Sequence, residues 1–212
     1  MKKILLLPTL MLAMSSVGWA AACSSGLLTG YLTPGFSCTE GSGANTLTFS
    51  QFTYLPSNTL PASSITVSVL GDGFGFGPFS AAPGQVIDFN LVYTVAGDLD
   101  SVRLSLGTPN ITGRGGIVGF ENIAPKQGGF FHLKVYDNPL DGLKDSQTLY
   151  LPELAGPFRI QKDAVLSAKS GVGSTASLME VVNTNNVPEP GSLLLFGSGL
   201  LALGGYVRRR KA

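Results

Sequence analysis

The chain has 212 residues, of which only 13% are charged, and its 14 Lys and Arg residues nearly balance its 13 Asp and Glu residues. Six of the basic residues lie at the two ends, in 2–3 and 208–211, so the body between them is mildly acidic. A mildly acidic body gives no electrostatic basis for binding nucleic acid, and we expect no such partner.

The N-terminal segment is typical of a signal peptide. Lys2 and Lys3 supply the positive start, an apolar run follows over residues 4–14, and small residues gather at Ala20, Ala21 and Ala22. The apolar run is too short for a retained membrane helix. Residues 1–22 are therefore predicted to be removed near Ala20 or Ala22, and the protein to be exported.

Two cysteines remain after this segment, Cys23 and Cys38. Export permits a disulfide between them, which would close a small loop and contribute about 3 kcal/mol by the chain-entropy estimate. The alternative is a lipidated Cys23 at the new N-terminus. However, bacterial lipoproteins carry a Leu-like residue three positions before the lipidated cysteine, and this chain has Ala20 there. Lipidation of Cys23 would also leave Cys38 as an unpaired thiol.

The central region alternates between apolar and polar residues, the period of a sheet with one buried face. We predict about nine strands joined by Gly-, Pro- and Asn-rich turns. They cover 46–55, 64–70, 87–95, 102–106, 110–122, 131–135, 146–151, 157–168 and 175–183. This pattern favours an all-β fold, an antiparallel β-sandwich over residues 23–186, with a jelly roll or barrel as the alternative.

Residues 71–77 read Gly-Asp-Gly-Phe-Gly-Phe-Gly. A phosphate-binding glycine loop would open a helix, whereas Pro78 and a further loop follow here. We interpret the stretch as a turn whose Phe74 and Phe76 cover the core, because exposed apolar patches are uncommon.

His132 is the only histidine, and it lies on the polar face of its predicted strand. A Ser-His-Asp site requires an orienting acid and a nucleophile beside the histidine, and the sequence contains no Gly-x-Ser-x-Gly turn. We therefore expect an ordinary surface histidine, no catalytic residues and no cofactor.

Residues 137–148 partly resemble a calcium-binding loop. Asp137, Asp141 and Asp145 fall at ligand-like offsets, but Pro139 and Thr148 occupy positions that require ligands. Carboxylates and turn residues are also common in hairpin loops, so we predict a hairpin loop and no metal site.

The C-terminal 26 residues, 187–212, have a three-part order. Pro188, Glu189 and Pro190 precede an uncharged run over 191–207, and four basic residues follow, Arg208, Arg209, Arg210 and Lys211. Seventeen helical residues span about 25 Å, near the lower limit for crossing a bilayer. The basic cluster is expected to stay cytoplasmic, so the β domain would face outside.

This order resembles the PEP-CTERM sorting signal of Gram-negative bacteria. The resemblance implies an integral-membrane exosortase as partner, acting at or near Pro188-Glu189-Pro190. It implies an inner-membrane-anchored precursor that is then released or transferred to the cell surface. The body, with Gly-Phe-Ser-Cys-Thr at residues 35–39, is also similar to small uncharacterised PEP-CTERM proteins.

Three hypotheses for the molecular role follow. The first is a non-enzymatic surface or extracellular-matrix protein. The second is a carbohydrate- or surface-binding module with a surface polysaccharide as partner, because β-sandwiches often carry such sites. The third is an exported hydrolase, whose expected sign would be a polar cluster around His132.

Overall fold

The computed structural model describes residues 20–41, 46–56, 60–70, 73–126, 129–151 and 156–169, and the backbone of 175–178 and 181–186. Residues 1–19 of the predicted signal peptide, the predicted membrane segment 191–207 and the basic cluster 208–211 lie outside the described residues. Within the described part of the chain, no helix is long and apolar enough to cross a membrane.

Strands make up almost the whole described fold, with a four-residue helix α1 (Leu28–Tyr31) and a 3-10 turn at Ala62–Ser64. In chain order the strands are β1 (Ala21–Ala22), β2 (Gly26–Leu27), β3 (Ser37–Glu40), β4 (Leu47–Pro56), β5 (Thr66–Val69), β6 (Gly73–Gly77), β7 (Phe79–Ala81), β8 (Val86–Ala96), β9 (Ser101–Leu106), β10 (Asn110–Thr112), β11 (Gly115–Pro125), β12 (Phe131–Asn138), β13 (Gly142–Lys144), β14 (Ser146–Tyr150), β15 (Phe158–Ala168), β16 (Thr175–Leu178) and β17 (Val181–Asn186).

The strands form three sheets. The eight-stranded sheet has the order β1-β3-β4-β8-β15-β11-β12-β13, and the six-stranded sheet has the order β14-β9-β17-β6-β5-β2. A three-stranded sheet, β10-β16-β7, completes the set. Neighbouring strands are antiparallel, except that β1 runs parallel to β3. The predicted all-β fold is confirmed.

The two large sheets face each other across one apolar core, as in a β-sandwich. Aromatic rings from the two sheets meet there: the ring centroids of Phe49 and Phe74 are 4.7 Å apart, and those of Phe76 and Phe89 are 5.5 Å apart. All four rings are buried. The alternation predicted for β8 is confirmed, since Phe89, like its apolar neighbours two residues away on either side, points into this core.

The prediction of a turn at residues 71–77 is wrong, because Gly73–Gly77 is strand β6 of the six-stranded sheet, paired with β5 and β17. The predicted burial of Phe74 and Phe76 is confirmed, since both are fully buried. Glycine usually marks turns, but here the phenylalanines recur at every second residue, and this period of two is that of a strand.

The predicted number of strands was too low. The predicted strand 110–122 is two strands, β10 and β11, because Gly113 turns the chain with a φ of 61°. The predicted strand 175–183 is likewise divided between β16 and β17, which belong to different sheets. In each case the chain passes from one sheet to another within a β-rich stretch, and periodicity alone does not register that change.

The predicted disulfide between Cys23 and Cys38 is confirmed. It joins the segment that follows β1 to β3, and the backbone N–H of Cys23 also donates to the carbonyl of Thr39 over 3.0 Å. Cleavage of the leader after Ala20 would keep β1 (Ala21–Ala22), whereas cleavage after Ala22 would remove it.

Candidate functional site

The outer face of the eight-stranded sheet carries a row of five side chains, one from each of five adjacent strands. Strand pairing aligns Leu55 with Asn90, Asn90 with Asp163, Asp163 with Phe120, and Phe120 with Lys134. Residues that pair across strands lie on the same face and contact each other. The register therefore brings together residues that are far apart in sequence, and we call these five residues the outer row.

Aromatic and cationic groups adjoin at one end of the outer row. The Nζ atom of Lys134 lies 5.6 Å from the ring centroid of Phe120 and 5.5 Å from that of Tyr136, within the range of cation–π contacts. Phe120 keeps 38% of its surface exposed. This end of the row thus presents aromatic rings in contact with the positive charge of Lys134.

Polar atoms without partners lie in the middle of the outer row. The Oδ1 atoms of Asn90 and Asp163 are buried, and within the described structure neither has a hydrogen-bond partner. Burial raises the pKa of Asp163, and the carboxylate of Asp88 raises it further. Buried oxygens without partners are uncommon in native proteins.

A groove of about 570 Å³ continues from the outer row along the same face. Its floor consists of small and apolar residues of β11 and β15, namely Gly116, Val118, Val165 and Ser167. Arg114, Lys169 and Asp141 line its edges. The groove therefore combines a floor of small and apolar residues with charged and polar groups at its rim.

His132 lies on this outer face, next to the outer row, and it is exposed as predicted. Its Nδ1 atom is 2.6 Å from the Oδ1 atom of Asn122, its cross-strand partner. A Ser-His-Asp arrangement would have a carboxylate at that position to orient the imidazole. Here the position is occupied by a neutral amide oxygen.

The loop that partly resembles a calcium site is a hairpin turn between β12 and β13. The Oδ1 atom of Asn138 accepts hydrogen bonds from the backbone N–H groups of Leu140 and Asp141, at 3.0 and 2.8 Å. This side-chain to backbone pattern is a common way to close a turn. In the described ranges, no group of three or more His, Cys, Asp or Glu residues is placed to hold a metal ion.

Sequence reasoning missed a buried ion pair in the core. Glu121 and Lys162 are cross-strand partners on β11 and β15, both with fully buried side chains, and Lys162 Nζ is 2.9 Å from Glu121 Oε2. Burial raises the pKa of Glu121 and lowers that of Lys162, while their mutual attraction opposes both shifts. The sequence did contain a signal for this pair: Glu121 and Lys162 each occupy an inward-facing position in the alternating pattern of a strand.

The predicted sorting residues, Pro188, Glu189 and Pro190, lie just beyond the described residues. The last described residue is Asn186, the end of β17, and it pairs with Ser101 of β9. Since β17 lies between β9 and β6, the chain leaves the sandwich from an inner strand of the six-stranded sheet.

Comparisons with solved structures gave distant likenesses. The structure of TmCBM61 in complex with beta-1,4-galactotriose is 12% identical with a TM-score of 0.34, over 76% of this chain and 94% of that chain. The enzymatically active domain of bacteriophage CBA120 tailspike protein 4 is 12% identical with a TM-score of 0.28, over 71% of this chain but only 19% of that chain. These values are too low to support an inference about a ligand.

Among curated proteins, none matches this chain. A family model described as the PEP-CTERM protein-sorting motif matches residues 186–211. The match begins at the residue where β17 ends and covers both the Pro-Glu-Pro segment and the basic cluster. The predicted recognition of the tail is confirmed: the chain carries a PEP-CTERM protein-sorting motif at its C-terminal end.

Proposed function

We propose that this chain is an exported, non-enzymatic surface or extracellular-matrix protein, whose β-sandwich is delivered by exosortase processing of the tail. The observation that carries the proposal is the position of the sorting motif. It begins at Asn186, the last residue of the last described strand, so the folded domain is joined directly to its sorting signal.

The short segment between β17 and the apolar run supports a precursor in which the sandwich lies close to the membrane. Only residues 187–190 separate Asn186 from the apolar run, a reach of about 14 Å when fully extended. The basic residues 208–211 would remain cytoplasmic, which places the sandwich outside the inner membrane. In that precursor, the end of the sandwich that carries Ser101 faces the membrane, because Asn186 pairs with Ser101 there.

The strand order also limits where the tail is cut. A cut within β17 would remove a strand that pairs with β9 on one side and β6 on the other. A cut at or near Pro188-Glu189-Pro190 leaves every described strand in the mature protein. Cleavage at the Pro-Glu-Pro segment is therefore compatible with an intact six-stranded sheet.

The test is fractionation of a native host followed by C-terminal peptide mapping of the surface-located protein. We expect mature protein that ends near Pro188 and lacks roughly the last 25 residues, the length of the motif and the membrane segment. Surface-located protein that still contains Arg210 and Lys211 would contradict processing and indicate a simple anchor.

The outer face of the eight-stranded sheet favours a second candidate function, carbohydrate binding. Aromatic rings present a flat apolar surface on which a sugar ring stacks, and Phe120 and Tyr136 supply such rings beside Lys134. The adjoining groove would accommodate further sugar units.

A glycan array with the mature domain tests this second function. Phe120→Ala and Tyr136→Ala should each weaken binding of any glycan that the wild type retains. Tyr150→Ala is the matched control, because Tyr150 is an exposed aromatic residue on β14 of the other large sheet. Equal loss in all three variants, or no glycan bound by the wild type, would contradict it.

The same panel separates binding from hydrolysis. A binding module leaves each retained glycan intact, whereas an exported hydrolase would shorten it. Products that disappear in His132→Ala would support the hydrolase hypothesis against both functions above.

A further inference from the structure

Glu121 and Lys162 form a buried pair in the sandwich core. They lie directly opposite each other on β11 and β15, on the inner face of the eight-stranded sheet. Both side chains are 0% exposed, and the Lys162 Nζ atom is 2.9 Å from the Glu121 Oε2 atom. An amine and a carboxyl group are therefore held in contact at a site closed to solvent.

Apolar residues adjoin the pair along both strands and from the facing sheet. The next inward positions along the two strands are Gly119 and Ile123 on β11 and Ala164 on β15. From the facing sheet, the ring of Phe76 lies with its centroid 6.0 Å from the Lys162 Nζ atom. Bulk water is thus excluded, and a charged pair in such a place carries a large desolvation penalty.

The same burial favours the uncharged forms of both groups. It raises the pKa of Glu121 and lowers the pKa of Lys162, although the attraction between the two groups acts in the opposite direction. The uncharged forms are a carboxylic acid and a nucleophilic amine. These are the protonation states from which an amide forms.

We propose that Lys162 and Glu121 join in an intramolecular isopeptide bond that links β15 to β11. The Lys162 Nζ atom attacks the Glu121 Cδ atom, a C–N bond forms, and one C–O bond of the carboxyl group breaks. The departing hydroxyl group takes a proton from the amine and leaves as one molecule of water. The step balances without an oxidant, a reductant or a co-reactant.

Three physical effects favour this condensation. Contact between the two groups replaces a bimolecular reaction by an intramolecular one, and well-aligned pairs reach effective molarities of about 10⁵ M or more. Because the core excludes water, hydrolysis of the new amide bond is disfavoured. A neutral amide is also less costly to bury than a carboxylate and an ammonium group.

The bond would be a second covalent link in an exported domain. The disulfide joins Cys23 to Cys38 near the N-terminus, whereas the proposed bond joins residues 41 positions apart at the centre of the eight-stranded sheet. The inference depends on the core alone and not on the function proposed for the tail or for the outer face.

Mass spectrometry of the reduced, full-length protein tests the proposal. The intact mass should be lower by one water molecule than the mass calculated from the sequence. After trypsin digestion, residues 115–126 and 160–169 should appear as one linked species, without cleavage after Lys162. Lys162→Met should abolish both the loss of one water molecule and the linked peptide species. The unbranched apolar side chain of methionine suits this buried position.

Glu121→Gln provides a second variant, which should also abolish the loss of water. A wild-type mass equal to the mass calculated from the sequence, with the two peptides separate and the chain cleaved after Lys162, would overturn the proposal and leave a hydrogen-bonded pair. Loss of ammonia in place of water from the wild-type protein would overturn it as well, because the acceptor would then be a side-chain amide and not Glu121.

Discussion

Gly119 on β11 lies directly opposite Val135 on β12, at a point where the two large sheets meet. A Cβ atom added at Gly119 would come within 2.9 Å of Val135 Cγ2, and it would also contact Leu106 and Leu104 of the facing sheet. The missing side chain therefore allows the two sheets to approach each other at this position.

Gly119→Ala should destabilise the domain by about 1–3 kcal/mol, because a methyl group would be forced into a filled part of the core. Gly116→Ala is the matched control on the same strand, since its nearest neighbour, Asn138 Cβ, would lie at an ordinary 3.5 Å. Urea unfolding of both variants and the wild type measures the difference. Equal midpoints for the two variants would show that the core at Gly119 is not tightly packed.

Removal of the disulfide should lower stability markedly. The double variant Cys23→Ser, Cys38→Ser should lose about 3 kcal/mol, since the bond restricts a loop with a sequence separation of 15 in the unfolded chain. Guanidinium unfolding of the variant checks this figure. Reduced wild type should behave like the variant, and unchanged stability in both would indicate that the bond does not constrain the unfolded state.

Asp163 should make stability depend on pH. Burial and the charge of Asp88 raise its pKa in the folded protein, so the folded state holds this proton more tightly than the unfolded state. Its contribution is present below the unfolded carboxyl pKa, about 3.9, and is lost as pH rises through the raised folded value.

Asp163→Asn should therefore become more stable relative to the wild type as pH rises from about 4 to 7. Thermal unfolding across this range measures the difference in Tm between the two proteins. A difference that stays constant with pH would show that Asp163 titrates normally.

His132→Ala should change stability by less than about 0.5 kcal/mol, as expected for an exposed residue whose hydrogen bond to Asn122 competes with water. Denaturant unfolding tests this expectation, with Asn122→Ala as the partner control. A loss above 1 kcal/mol in both variants would indicate that this pair stabilises the β11–β12 register.

We expect the exosortase to recognise the sorting segment through Glu189, because it is the only charged residue between Glu180 and Arg208. Glu189→Ala should leave unprocessed precursor in the inner membrane with a folded domain outside. Deletion of residues 208–211 should instead impair retention, because the stop-transfer charge is lost. Fractionation with C-terminal peptide mapping distinguishes the two, and normal processing of Glu189→Ala would rule out this role.

The sequence by itself predicted the all-β fold class and the C-terminal sorting tail. Alternation of apolar and polar residues, as in β9, predicts a sheet with one buried face. The three-part order of residues 187–212 predicts a sorting tail, and the family model matches residues 186–211. Two cysteines in an exported chain predicted the bond between Cys23 and Cys38. These signals are local, since each depends on residues close together in the chain.

Only the tertiary structure decided which distant residues meet. Strand register sets Glu121 against Lys162 inside the sandwich, and Asp163 between Asn90 and Phe120 on its outer face. The strand at Gly73–Gly77 likewise exists because β5 and β17 flank it, although its glycines alone suggest a turn. Pairing between strands depends on contacts across the whole chain, and a period of two gives the face of a residue but not its neighbour.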